Sequence, residues 1–145
     1  SLSLSAGQPA EAKADAEAEA EKAKADAAKA KAANAGECAV RAVNRVAEAQ
    51  RAFLMAARLF SRRVDAIERA ESSTPPKPAW KVIKMCDKDD GDMLAAQQNV
   101  DSLTHLMQEA LLRVSEAENR VAYWEKRKLE RRIRAALRRK HSGAH

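Results

Sequence analysis

Aromatic residues are scarce in this chain of 145 residues: two Phe, one Tyr and two Trp, 3% of the total. Much of its 46% hydrophobic content is alanine, which buries little apolar area per residue, so a conventional globular core cannot be filled. Glycine and proline number four each, too few turns for an all-β or α/β enzyme fold. The two cysteines, Cys38 and Cys86, form no CxxC and have no neighbouring His. That excludes a disulfide framework and a zinc pattern, and unpaired thiols suit a reducing compartment. No run of about 18 apolar residues exists, so no transmembrane segment is expected. GxSxG, HExxH, GxGxxG and the Walker A loop are all missing. The expectation is a chain with no enzymatic activity, no cofactor, no metal and no small-molecule substrate.

What is there is charge and helix-forming residues. Charged residues make up 33%, with 27 basic against 21 acidic, a net charge of +6. The excess is local. Between Lys126 and Lys140 nine of fifteen residues are basic and only Glu130 is acidic. A field this concentrated attracts phosphate, an anionic surface or an acidic protein face. The first residues, Ser1-Leu2-Ser3-Leu4-Ser5, lack the apolar core of a signal peptide. Loss of an organellar transit peptide is one account of this start, and a boundary inside a longer product is another.

Residues 10–35 hold 14 alanines among Glu, Lys and Asp. Ala, Glu and Lys favour helix over strand, but the charges fall all round and leave no apolar stripe. Residues 1–36 therefore read as an Ala-rich helical arm that needs a neighbour to order it. Past Gly36 the pattern sharpens: Ala39, Ala42, Val46, Ala49, Phe53, Ala56 and Phe60 recur at steps of three and four. Arg63 stands at the next position, and Ile67 and Ala70 continue the stripe. This predicts a first coiled-coil helix over 37–72, stopped by Pro75, Pro76 and Pro78. Residues 73–92 read as a Pro-rich then Asp-rich link.

From Met93 the same alternation returns through Ala96, Val100, Leu103, Met107, Ala110, Val114, Ala117, Val121 and Trp124. It predicts a second coiled-coil helix over 93–145, with a basic C-terminal tail. After Trp124 the apolar phase slips to Leu129, Ile133 and Leu137, so the tail should face a different partner from the seam. The expected fold is all-α: an antiparallel helical hairpin of two long helices with the Ala-rich arm. A bend near residues 82–83 would put Phe53 opposite Ala110–Leu112 and Trp124 opposite Ala39–Ala42. The tail would then overhang the paired helices. Expected seam residues are Phe53, Phe60, Val100, Leu103, Met107, Val114, Val121 and Trp124, with Met55, Met93 and Met107 filling gaps.

DKDDGD at 87–92 fails as a calcium loop, because Asp92 stands where the turn glycine should be and Gln98 where the bidentate Glu should be. Asp89, Asp90 and Asp92 read instead as caps at a helix start. His105, His141 and His145 fall on no metal-ligand spacing; His105 reads as a rim residue. Trp80, beside three prolines, either covers the bend or docks on a partner.

The segment that points to function is KRKLERRIRAALRRK. Leu129, Ile133 and Leu137 form an apolar ridge at steps of four residues, flanked by Lys126, Arg127, Arg131, Arg132, Arg134, Arg138 and Arg139. Arginine outnumbers lysine six to three here, which favours bidentate binding of carboxylate or phosphate. Together with Trp80 these are the expected partner-binding residues. They predict a non-catalytic structural or accessory subunit, docked by its helices and basic tail into a larger multiprotein assembly, with a mitochondrial setting preferred. An RNA-contacting protein of a ribosome-like particle is one alternative, and a cytoskeletal or axonemal coiled coil is another.

Overall fold

The computed structural model describes the backbone of residues 2–143 and the side chains of residues 12–143. The readings attached to Ser1 and His145 fall outside the described residues. The chain is all-α, with two long helices, α1 (Leu2–Ser72) and α2 (Trp80–Gly143), and no strand among the described residues. It packs as two units, one formed by residues 1–37 with 111–145 and the other by residues 38–110.

The prolines do end α1. Ser73 Oγ lies 2.8 Å from the carbonyl of Ala70 and 3.0 Å from that of Pro75. The Lys77 amide donates to the Ala70 carbonyl at 3.0 Å, so two polar groups complete the helix end. The α2 ladder then starts with the Ile83 amide donating to the Ala79 carbonyl at 2.9 Å. The link is therefore shorter than the sequence suggested. WKVIKMC and DKDDGD are helical, and α2 begins at Trp80 instead of Met93. Asp89, Asp90 and Asp92 cap nothing, because they stand more than two turns inside the helix.

In the unit of residues 38–110 the buried positions are Ala39, Val46, Ala49, Cys86, Asp89 and Ala110. Phe53, Phe60, Val100, Leu103 and Met107 are half-buried on the same alternating steps. Met55 is not a seam residue; it is exposed. Position 63, where the apolar stripe breaks, is explained by α2. Arg63 Nε lies 2.7 Å from Asp89 Oδ2, without hydrogen-bond alignment, and Asp89 is only 5% exposed. A buried pair of this kind adds little net stability over an apolar pair, but it fixes register, because any slip strands a charge.

The other unit corrects the reading of residues 1–36 as an arm without a stripe. Glu21, Ala25, Ala28, Ala32 and Ala35 are buried or half-buried at steps of four and three. The stripe is made of alanine and was hidden because alanine also fills the exposed positions. Opposite, Val114, Ala117, Val121 and Trp124 are buried or half-buried, and the alternation continues through Arg131 and Ala135. The packed positions therefore show no phase slip, although the apolar residues do.

Ion pairs give the register. Glu21 meets Arg127 and Arg131, Lys29 meets Glu125, and Arg63 meets Asp89. Paired numbers add to roughly 150 throughout, as they must in antiparallel helices, which centres the pairing near residues 75–76 instead of 82–83. Phe53 is then level with residues near 98, not with Ala110–Leu112. Trp124 borders the same groove as Ala25, not Ala39–Ala42. Large still faces small, with different partners.

Candidate docking surface

The basic segment lies on the last five turns of α2, and its side chains divide by helical phase. Arg127 and Arg131 turn inward. Arg127 donates to Glu21 Oε1 at 2.9 Å, and Arg131 approaches the same oxygen at 2.7 Å. The tail thus does not overhang: Glu21 of α1 lies against it. The hydrogen bond from Arg127 is the main cause that holds the Glu21 carboxyl below its ordinary 4.5, with the charge of Arg131 adding and desolvation opposing. Arg127 is raised in return, first by the same hydrogen bond. Two turns along α1, Lys29 Nζ lies 3.1 Å from Glu125, and its hydrogen bond is the main cause that lowers the Glu125 carboxyl.

The remaining residues point outward. Leu129, Ile133 and Leu137 are 57%, 50% and 51% exposed, and Lys126, Arg132, Arg134, Arg138 and Arg139 are exposed beside them. Steps of four put the three apolar side chains on one line along the helix. Among the described residues no carboxylate pairs with Arg134, Arg138 or Arg139, while the charge of Arg132 acts on Glu125 without an ion-pair contact. Three apolar side chains in water, framed by exposed guanidinium groups, can seat in an apolar trough with an acidic border.

Beside Trp124 runs an open groove of about 440 Å³, lined by Ala18, Lys22, Ala25, Asp26, Lys128 and Arg132 among others. Lys24 Nζ sits 5.7 Å from the indole centroid, and Tyr123 packs edge-on to Trp124 at 5.0 Å. The indole is thus covered by its own chain. Trp80 differs: it is 58% exposed at the start of α2, with Lys81 and Lys84 at 5.5 and 5.6 Å from its ring.

No group of three or more His, Cys, Asp or Glu among the described residues could hold a metal ion. His105 pairs with Glu109 one turn on, at 3.3 Å, on the surface, and His141 lies in the last turn of α2. Cys86 is buried and Cys38 exposed, its sulfur accepting from Arg41 at 3.3 Å. No described helix is long and apolar enough to cross a membrane. Sequence reasoning missed Glu21, Lys29, Glu125, Arg63 and Asp89. The signal was present for Arg63, a charge at a seam position that demands a partner of opposite sign. Glu21 gave none, because carboxylates are common throughout its segment. Comparison with protein-family models, with characterised proteins and with solved structures finds no match to this chain.

Proposed function

We propose that the chain is a structural subunit, which uses the outward face of the last turns of α2 to dock into an acidic-rimmed apolar trough on a neighbouring protein of a larger assembly. One observation carries this reading: the arginines are sorted. Arg127 and Arg131 are spent on Glu21, while Arg132, Arg134, Arg138 and Arg139 flank an exposed line of Leu129, Ile133 and Leu137. A helix kept in solution by charge alone has no use for three aligned aliphatic side chains. Apolar contacts supply most of the docking energy, and the guanidinium groups select an acidic border.

The test compares two variants for incorporation into the native assembly, read by sedimentation of cell extract. Replacing Leu129, Ile133 and Leu137 by Ala should release the subunit. Replacing Arg132, Arg134, Arg138 and Arg139 by Gln should weaken incorporation and make it less sensitive to salt. If nucleic acid is the partner instead, the Ala variant stays incorporated. The purified chain then binds structured RNA with a slope of about 0.7–0.9 in log K against log salt per phosphate contact, and the Gln variant loses it.

A further inference from the structure

The docking helix end needs an apolar trough with an acidic border, and the unit of residues 38–110 carries one. In antiparallel packing, the residues that follow Ala42, Ala49, Ala56 and Arg63 border the same groove as those that follow Val82, Asp89 and Ala96. With the next row outward, α1 gives this groove an aliphatic wall of Val43, Leu54, Ala57 and Val64. The α2 wall is acidic: Asp87, Asp90 and Asp101 stand on it, with Ile83 and Leu94 between them. Val43, Leu54, Ile83, Leu94 and the three aspartates are exposed. Towards the bend Glu68 and Glu71 add two exposed carboxylates on the α1 side. These rows hold no Lys, Arg or His; the nearest cations, Arg51, Arg58 and Lys84, stand one row further out. None of the five carboxylates is in an ion pair among the described residues. The opposite flank of the same seam has the other sign, with Arg41, Arg45, Arg62, Arg69, Lys81 and Lys88 against three acids. Acid is therefore sorted to the aliphatic side of the unit.

We infer that this groove seats the basic end of α2 from a second copy, so that the neighbour to which the chain docks is another copy of itself. The inference rests on the docking role proposed above for Leu129, Ile133 and Leu137. Ridge and groove agree in length: Leu129–Leu137 covers about 12 Å and Leu54–Val64 about 15 Å, at ~1.5 Å per residue. The basic run Lys126–Lys140 and the acidic row Asp87–Asp101 each cover fourteen steps, about 21 Å. They also agree in chemistry. Aliphatic side chains meet the α1 wall, and the guanidinium groups beside them meet carboxylates, for which their fork geometry is suited. Because ridge and groove are different surfaces, the contact is heterologous. Every copy offers both halves, and copies join head to tail into a ring or an open row.

In sedimentation velocity at tens of micromolar, the mean mass of the full-length chain should rise with concentration and fall with added salt. Two variants remove one half of the contact each. The ridge variant carries Leu129→Ala, Ile133→Ala and Leu137→Ala; the groove variant carries Asp87→Lys, Asp90→Lys and Asp101→Lys. All six positions are exposed, so both variants should keep their helical circular dichroism. Each alone should associate about 10-fold more weakly or not at all. An equimolar mixture should form a 1:1 dimer and nothing larger, because it holds one intact ridge and one intact groove per pair. A wild-type chain that stays monomeric overturns the inference. So does either variant that grows alone as the wild type does, or a mixture that stays monomeric. The docking role itself is scored separately, by incorporation of the ridge variant into the native assembly. A monomeric wild type whose ridge variant is still released from that assembly overturns the second copy as partner and leaves the docking role standing.

Discussion

The unit containing residues 12–37 packs α1 through alanines, whereas the unit of residues 38–110 packs it through Val46, Phe53, Phe60 and Ile67 as well. The contrast decides where charge can sit. At the end of the alanine stripe Glu21 takes Arg127 and Arg131, and on its border Lys29 reaches Glu125. Those pairs are partly solvated and contribute little each. The other unit carries its charge inside the seam, as Arg63 with Asp89. One unit sets its ion pairs at the end and the border of an alanine seam, and the other sets one in the middle of its seam as a register key.

The largest expected break in this contrast is Asp89→Ala. It leaves the half-buried Arg63 without a counter-charge and should cost about 1–3 kcal/mol in chemical denaturation. Converting the pair to Arg63→Met with Asp89→Leu should recover most of that loss while relaxing register, seen as broadened amide resonances in residues 38–110. Ala28→Leu comes next. Ala28 is 7% exposed in the alanine seam, and the larger side chain should destabilise its unit by about 1–3 kcal/mol in thermal melts.

Acid should act on the alanine-seamed unit in preference. Glu21 and Glu125 both titrate below their ordinary 4.5 in the folded chain. Their stabilisation is complete above the unfolded value and fades as pH falls below 4.5 through the lowered values. Hydrogen exchange at about pH 3.5 should therefore rise in residues 18–32 and 121–132, and Glu21→Gln should remove much of the response. The smallest effect belongs to the exposed Glu116→Lys, within roughly 0.5 kcal/mol by denaturation. A loss as large as that of Ala28→Leu would contradict the assigned faces.

Much of this was legible in residue spacing. The steps of three and four from Ala39 to Phe60 and from Met93 to Trp124 specify two helices and their packed faces, because side chains that recur every 3.5 residues share one line. Register was not legible. It depends on where the bend lies, and Trp80–Asp92 carries its helical stripe through Val82, Cys86 and Asp89, a set in which one member is charged. Reading Asp89 as a cap at a helix start placed the bend too late by about two turns of helix. The stripe in residues 21–35 was hidden for the opposite reason: with alanine on every side, hydropathy holds no contrast. At the basic end the exposed line of Leu129, Ile133 and Leu137 was visible, but the inward turn of Arg127 and Arg131 required knowing that Glu21 lies across from them.

The alanine seam also fixes a thermal signature. The heat-capacity increment of unfolding scales with the apolar surface that becomes hydrated, about 12–15 cal/mol/K per residue in ordinary domains. A contact made of methyl groups hydrates far less on opening than one made of Phe and Leu. The unit built from Ala25, Ala28, Ala32 and Ala35 should therefore have a shallow stability curve, with little cold destabilisation and a broad melt. The unit containing Phe53 and Phe60 should show the steeper curvature of a conventional core. Calorimetry of the intact chain would register the difference as a gradual pre-transition slope followed by a sharper peak.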